Sequence, residues 1–152
     1  MKRAVNAVSA VGDAERFWGV NLHLDVVAIE DNPGDARLIR EALEEDGRVK
    51  VRVAWNGTEG LALLEEGPPP DLILLDINLP GVGGLEIVTR IRANPELKDV
   101  PIVMFTSSQL LEDVRDAETR GADMFVVKPF DVLEYLSVLR RIRRRLVDGS
   151  DS

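Results

Sequence analysis

The stretch "DLILLDINLPGVGG", residues 71–84, places one carboxylate directly after a short apolar run. The run "DLILLD" (71–76) has the length and continuous apolar character typical of a strand buried on both faces of a parallel sheet. Asp76 ends this run, and a turn that contains Asn78, Pro80 and three glycines follows it. A buried strand is therefore predicted to deliver Asp76 to one edge of a sheet, where other groups must accompany the carboxylate.

The same alternation of apolar runs and amphipathic segments extends on both sides of this stretch. Asn32 and Pro33 form a helix start signal after the first apolar run, and Ala36, Ile39 and Leu43 share one face of the helix that follows. In the helix after Asp76, the residues predicted to share a face are Leu85, Val88 and Ile91. Strands are predicted over 24–29, 49–55, 71–76, 100–107 and 124–129, with helices over 32–47, 58–67, 85–94, 110–122 and 132–146. Strands that alternate with helices in this way predict a doubly wound, five-stranded parallel α/β sheet with right-handed crossovers.

Composition narrows the possible functions. The 152 residues suffice for about one domain, predicted here over residues 24–147, with an N-terminal extension (1–23) and a short tail (148–152). The extension contains "AERFWGV", which favours a short amphipathic helix that includes Trp18. A net charge of −8 argues against sequence-independent binding to nucleic acid. No apolar run approaches the ~20 residues that cross a bilayer, and the absence of cysteine fits a cytoplasmic protein.

Polar groups collect at the predicted carboxyl ends of the strands, where ligands bind in doubly wound sheets. These groups are Glu30 and Asp31, Asp76, Thr106 and Ser107, and Lys128 before Pro129. Each group also has an ordinary structural interpretation. Glu30 and Asp31 could cap the first helix, as could Asp35, and Lys128 could be a solvated loop lysine. Carboxylates that crowd together repel one another unless a cation lies among them, and Mg²⁺ commonly binds one or two carboxylates together with waters and phosphate. Taken together, the groups predict a magnesium-dependent phosphoryl-transfer site with Asp76 as nucleophile.

The segments "AIEDNPGD", "LLDINLPGVGGLEI", "MFTS" and "VVKPF" resemble the signature segments of response-regulator receiver domains. These CheY-like, flavodoxin-like domains are the phospho-acceptors of two-component signalling. The resemblance covers about residues 24–147 and implies that Asp76 is the phosphorylated aspartate. It also implies that Asp31 binds the ion directly, that Glu30 acts through water, and that Asn78 supplies a backbone carbonyl to the metal.

The resemblance also implies a conformational switch. Thr106 matches the hydroxyl that turns toward the phosphoryl group, Lys128 matches the ammonium that pairs with it, and Phe125 matches the rotating aromatic residue. The family places its lysine before a proline, and a cis peptide bond is expected at Lys128–Pro129. Gly83 departs from the family pattern, in which a polar residue often precedes the turn glycine.

Two other functions are compatible with parts of this pattern. A haloacid dehalogenase-like phosphatase also uses an aspartate nucleophile, but its second aspartate, two residues later, is here Asn78, which cannot act as a general acid. A receiver that serves only as a docking surface would not need a complete set of site residues, and this chain has the complete set.

The partners implied by the resemblance are proteins. A histidine kinase would supply the phosphoryl group. The less specific segments "EDNPGD" and "TSS" resemble segments of single-domain receivers that partner phytochrome-type kinases. Because only six residues follow Leu146, no output domain is expected, and the signal is expected to leave by protein contact or phosphorelay. The last predicted helix is rich in arginine, which suits either a solvated face or a homodimer formed through the fourth and fifth helices. These arginines are Arg140, Arg141, Arg143, Arg144 and Arg145.

Overall fold

The computed structural model describes residues 23–149, which form a parallel sheet of five strands in the order β2-β1-β3-β4-β5. The strands are β1 (Leu24–Ile29), β2 (Val49–Ala54), β3 (Leu72–Leu75), β4 (Ile102–Thr106) and β5 (Met124–Val127). The helices are α1 (Pro33–Leu43), α2 (Gly57–Glu65), α3 (Gly84–Ala93), α4 (Leu111–Arg120) and α5 (Val132–Asp148), with a 3-10 turn at Pro95–Leu97. The predicted doubly wound, flavodoxin-like architecture is confirmed.

Residues 1–22 and 150–152 lie outside the described part of the chain, and with them the predicted amphipathic helix and Trp18. The division into extension, domain and tail therefore stays a prediction. Within residues 23–149, no helix is both long enough and apolar enough to pass through a bilayer.

The helix boundaries follow from local sequence signals. Asn32 caps α1, since its side chain accepts a hydrogen bond from the backbone N–H of Asp35 at 3.0 Å, and Pro33 occupies the first helical position. Gly121 ends α4 with a φ of 116°, a left-handed conformation that favours glycine. Both boundaries match the sequence-based predictions.

The sheet separates two apolar layers, because successive side chains of a strand point to opposite faces. On β1, Val26 and Ala28 face the layer covered by α1 and α5, whereas Val27 and Ile29 face the layer covered by α2, α3 and α4. The central strands are therefore buried on both sides, as their continuous apolar runs predicted. One detail differs on α3, where Ile87 is buried together with Val88 and Ile91, while the predicted Leu85 is only half-buried.

The start of α3 packs directly on the backbone beside Asp76. The backbone N–H of Gly84 donates a hydrogen bond to the carbonyl of Ile77 at 2.9 Å. A Cβ atom at position 84 would lie 2.1 Å from the Asp76 carbonyl oxygen and 2.7 Å from the Ile77 Cα. Position 84 therefore has room only for glycine, and its close approach sets the position of the loop that follows Asp76.

We expect Gly84→Ala to lower the free energy of unfolding by about 2 kcal/mol or more, because the added methyl group meets backbone atoms that cannot move independently. The neighbouring Gly83→Ala is the matched control, since a Cβ atom there has its nearest contact at 3.9 Å. That variant should change stability by about 1 kcal/mol or less. Chemical denaturation of both variants provides the measurement, and equal effects would contradict the packing argument.

Candidate functional site

The strand register brings the polar strand ends together. Ile29 of β1 pairs with Leu75 of β3, so the residues that follow them, Glu30 and Asp76, are neighbours at the same edge of the sheet. Thr106 ends β4 opposite Val127 of β5, and Lys128 comes next. The side chains at this edge are unusually enclosed, with exposed fractions of 2% for Glu30, 7% for Asp76, 0% for Thr106 and 8% for Lys128.

The ammonium group of Lys128 lies at the centre of this edge. Its Nζ donates to Glu30 Oε1 at 2.6 Å, to Asp76 Oδ2 at 2.9 Å and to Asp35 Oδ2 at 3.0 Å. A lysine ammonium has three N–H donors, so all three are directed at carboxylates. Its Nζ also lies 5.9 Å from the centroid of the Phe105 ring, at the outer limit of a cation–π contact.

Burial and charge shift the ionisation of this group of residues. Burial raises the pKa of Glu30 to about 7, despite the opposing hydrogen bond from Lys128, and the charge of Asp76 adds to the increase. Burial alone would lower the pKa of Lys128, but its hydrogen bonds to Glu30 and Asp76 outweigh burial and hold that pKa above its ordinary value. The lysine is therefore charged, and one cation compensates only part of the negative charge around it.

Asp31 extends the cluster toward solvent. One carboxylate oxygen each from Glu30, Asp31 and Asp76 lie within 4.8 Å of one another, a spacing at which a metal ion can bind all three residues. Both Glu30 oxygens already accept hydrogen bonds, from Lys128 and from the Asn32 backbone N–H, whereas Asp31 is exposed. Because hard divalent ions prefer oxygen ligands and the cluster carries excess negative charge, these residues fit a divalent cation.

Asp76 and Thr106 make further hydrogen bonds with backbone groups of the adjacent loops. The backbone N–H of Asn78 donates to Asp76 Oδ1 at 3.1 Å, so both carboxylate oxygens of Asp76 are held. The Thr106 hydroxyl accepts a hydrogen bond from the Ser108 backbone N–H at 3.3 Å. Phe125 is half-buried on β5, opposite Met104, and packs against the apolar layer beneath α3 and α4.

Two residues at this site were not predicted to belong to it. Asp35 was interpreted as a helix-end residue, yet its carboxylate accepts from both Lys128 and the Tyr135 hydroxyl, the latter at 2.7 Å. Side chains in the first turn of a helix lean toward its N-terminus, and α1 begins directly after Glu30 and Asp31. The place of Asp35 in that turn could therefore have predicted that its carboxylate reaches the site. Tyr135 is buried on α5, and burial followed by its hydrogen bond to Asp35 raises the pKa of its hydroxyl above the ordinary range.

The expected cis peptide bond at Lys128–Pro129 is wrong, because none of the described residues forms a cis bond. Lys128 nevertheless points into the site. Its backbone N–H is fixed by a 2.7 Å hydrogen bond to the Thr106 carbonyl, and its side chain is held by the three carboxylates. The ion pairs therefore suffice to orient the side chain with a trans bond.

The arginine-rich helix α5 is partly engaged within the chain. Arg140 and Arg143 both contact Glu45 just beyond α1, at 3.1 Å and 3.0 Å, and Arg143 also donates to the Ala42 carbonyl at 2.6 Å. The sequence suggested a solvated face or a homodimer surface for these arginines, and neither interpretation predicted ion pairs with Glu45 of the same chain. Arg141 and Arg144 remain exposed.

Comparison with known proteins identifies a family. Residues 26–140 match the model of the response regulator receiver domain. The chain is 36% identical over 120 residues to the DNA-binding dual master transcriptional regulator RpaA of Synechocystis, a match that covers 79% of this chain and 49% of that protein. The chain thus spans about half the length of this relative.

Two solved structures are similar over most of the chain. The phosphorylated cyanobacterial phytochrome response regulator RcpA has a TM-score of 0.81 and 28% identity, covering 84% of this chain and 96% of that one. The Mn²⁺-bound form of response regulator Rcp1 has a TM-score of 0.78 and 27% identity, and this match also covers 84% of this chain and 96% of that one.

We expect Lys128→Met to lower the free energy of unfolding by about 3–5 kcal/mol in metal-free buffer, because it leaves buried carboxylates without their cation. Magnesium should restore more stability to this variant than it adds to the unaltered protein, since an ion can supply the missing positive charge. Thermal or chemical denaturation with and without magnesium provides the measurement.

The matched control is Lys98→Met, which removes an exposed lysine outside the site. It should change stability little, and magnesium should have no additional effect on it. A second substitution, Glu30→Gln in the Lys128→Met background, should recover part of the lost stability. Failure of both magnesium and Glu30→Gln to help would contradict the electrostatic interpretation of this cluster.

Proposed function

This chain belongs to the response regulator receiver domain family, and from that premise we propose that Asp76 accepts a phosphoryl group from a histidine kinase with the aid of Mg²⁺. The observation that carries the proposal is the placement of the Asp76 carboxylate. It is buried at a strand end, held by Lys128 on one oxygen, and grouped with Glu30 and Asp31 in a cluster that fits a divalent ion.

The transfer is a substitution at phosphorus. An Asp76 carboxylate oxygen forms the new O–P bond while the N–P bond of the kinase phosphohistidine breaks, and the imidazole leaves with the electron pair. Lys128 donates to the phosphoryl oxygens, so its charge stabilises the transferring group. The Thr106 hydroxyl accepts from the Ser108 backbone N–H and still has its own O–H to donate to a phosphoryl oxygen, so its movement toward Asp76 would couple phosphorylation to the loop after β4.

Magnesium is the proposed ion, held by Asp31 and Asp76, with Glu30 acting through water and the Asn78 carbonyl as a further ligand. Lys128 contacts Glu30 at 2.6 Å but Asp76 at 2.9 Å, and this tighter pairing of Glu30 supports an indirect role for that residue at the metal. When bound, the ion supplies counter-charge to the acceptor carboxylate and to the phosphoryl oxygens.

The half-buried ring of Phe125 supports its proposed role in the switch. A ring that already packs partly against the apolar layer can move further inward without burying a polar group. Movement of the Thr106 hydroxyl toward Asp76 would provide the space. We therefore propose a shift in the population of two ring positions, not the creation of a new state.

The phosphatase alternative receives no support. Position 78 carries an amide, and the Asn78 backbone N–H holds Asp76 in place. Within residues 23–149, no acid stands two positions after the nucleophile to protonate a leaving group. Transfer onto Asp76 and slow self-catalysed hydrolysis of the aspartyl phosphate are therefore the proposed chemistry.

The cognate kinase is proposed to be of the phytochrome type. The likeness to RcpA supports this finer proposal, since the chain covers nearly all of that phytochrome response regulator. Phosphotransfer from a purified phytochrome-type kinase, compared with an unrelated histidine kinase at equal concentration, tests it. Equal transfer rates from both kinases would remove the proposed preference.

A homodimer through the fourth and fifth helices is proposed on the basis of exposed apolar side chains. β5 is an edge strand, with α4 packed on one face of the sheet and α5 on the other. Leu111 on α4 is 60% exposed, Val127 on β5 is 39% exposed and Leu133 on α5 is 76% exposed. Apolar groups exposed along one edge favour association with a second apolar surface.

We expect Asp76→Asn to abolish phosphorylation by acetyl phosphate in the presence of magnesium, because a neutral amide, unlike a carboxylate, does not act as a nucleophile toward phosphorus. Stability should change little, since Lys128 keeps Glu30 and Asp35 as partners. Intact-protein mass spectrometry measures the gain of one phosphoryl group. Asp99→Asn, at an exposed position, is the matched control and should be labelled normally. Labelling of the Asp76→Asn protein would show that the acceptor lies elsewhere.

We expect beryllofluoride with magnesium to lower the dimer dissociation constant, and Leu133→Gln to raise it, because the substitution places an amide in the proposed apolar contact. Trp55→Gln is the control, since Trp55 is exposed beside β2 at the opposite edge of the sheet. Thr106→Ala should reduce the response to beryllofluoride. Sedimentation velocity provides the measurement, and a dissociation constant that is insensitive to both beryllofluoride and Leu133→Gln would exclude this dimer.

A further inference from the structure

A chain of hydrogen bonds connects the acceptor site with the first turn of α5. Lys128 Nζ donates to Asp35 Oδ2 at 3.0 Å, and the other oxygen of the same carboxylate accepts from the Tyr135 hydroxyl at 2.7 Å. Tyr135 is 4% exposed, and its ring packs edge-on against Phe105 with centroids 5.1 Å apart. The two oxygens of the Asp35 carboxylate thus accept hydrogen bonds from two different parts of the fold, the loop after β5 and helix α5.

The ion pair of Lys128 with Asp35 competes with its ion pair with Asp76. The three N–H donors of the ammonium are directed at three carboxylates, and the Asp35 contact is the longest of the three. A phosphoryl group on Asp76 brings additional negative charge and three acceptor oxygens. Those oxygens attract Lys128 toward Asp76, and Asp35, the most exposed of the three carboxylates at 24%, loses least by turning toward water when the ammonium moves.

We propose that Asp35 and Tyr135 are positioning residues that hold Lys128 in its resting place and transmit the state of Asp76 to α5. The inference rests on the proposed phosphorylation of Asp76. When Lys128 moves toward the phosphoryl group, the Asp35 carboxylate turns toward water, and its hydrogen bond to Tyr135 lengthens. Because Tyr135 is buried on α5, this route to the helix is separate from the one through Thr106 and Phe125.

Thermodynamic linkage gives the direction of the effect. If the chain of hydrogen bonds stabilises the resting place of Lys128, its removal must favour the phosphorylated arrangement and strengthen binding of a phosphoryl analogue. A purely structural role of Tyr135, as a buried hydroxyl that needs an acceptor, would lower the stability of the fold without altering that affinity.

The first experiment uses the unaltered protein. Tyr135 is the only tyrosine in the chain, so protein labelled isotopically at tyrosine Cζ gives a single NMR signal from this position. Addition of magnesium and beryllofluoride should shift that signal, and fluorine NMR should show independently that beryllofluoride is bound. In the Asp76→Asn protein, neither the bound fluorine signal nor the tyrosine shift should occur.

The second experiment measures beryllofluoride affinity in the presence of magnesium. Tyr135→Phe, which keeps the ring against Phe105, should bind the analogue at least about fivefold more tightly. Asp35→Asn should shift the affinity in the same direction. Ser137→Ala is the matched control, because it removes an exposed hydroxyl from the same helix, and it should bind like the unaltered protein.

The outcomes separate this inference from the function on which it rests. Absence of bound beryllofluoride and of phosphorylation in the unaltered protein would overturn the proposed function and the positioning role together. Binding at Asp76 with an unmoved tyrosine signal, or with unchanged affinity in Tyr135→Phe, would overturn the positioning role alone. A shifted signal together with tighter binding in Tyr135→Phe, but not in Ser137→Ala, would support it.

Discussion

One ammonium group, that of Lys128, pairs with three carboxylates that reach it from the ends of β1 and β3 and from the first turn of α1. Taking these charges out of water is costly, and they are compatible with a folded state only because they are paired and hydrogen-bonded. No buried polar side-chain atom among the described residues lacks a hydrogen-bond partner. The site is thus a region where the fold accepts an electrostatic cost that the two apolar layers offset.

The same arrangement suits the proposed phosphoryl transfer. Negative charge exceeds positive charge around Asp76, so a divalent ion and the ammonium together can balance both the carboxylates and an incoming phosphoryl group. The donors are held before the reaction begins: Lys128 by its ion pairs and the loop after Asp76 by the close approach of Gly84. Preorganised charge of this kind needs little rearrangement when the group is transferred.

The proposed signalling requires that charge added at Asp76 alters a surface elsewhere, and the geometry offers contacts in two directions. Thr106 and Phe125 connect the site with the layer under α3 and α4, whereas Asp35 and Tyr135 connect it with α5. Phe125 lies on β5 itself, the edge strand on which Val127 is exposed. Arg140 and Arg143, by contrast, secure α5 to the end of α1 and contribute to the fold.

The sequence by itself determined the alternation of strands and helices, the helix caps and the polar groups at the strand ends, because these depend on local periodicity and on the topology of a parallel sheet. It thereby placed Glu30, Asp76, Thr106 and Lys128 at one edge, where the structure brings them together. Only the tertiary structure decided the remaining contacts. Tyr135 is separated by 100 residues from Asp35, the carboxylate to which it donates, and the trans bond before Pro129 is compatible with an inward lysine because three ion pairs orient it. Such contacts between distant segments leave no periodic signal, since they depend on how α1, α5 and the sheet pack against one another.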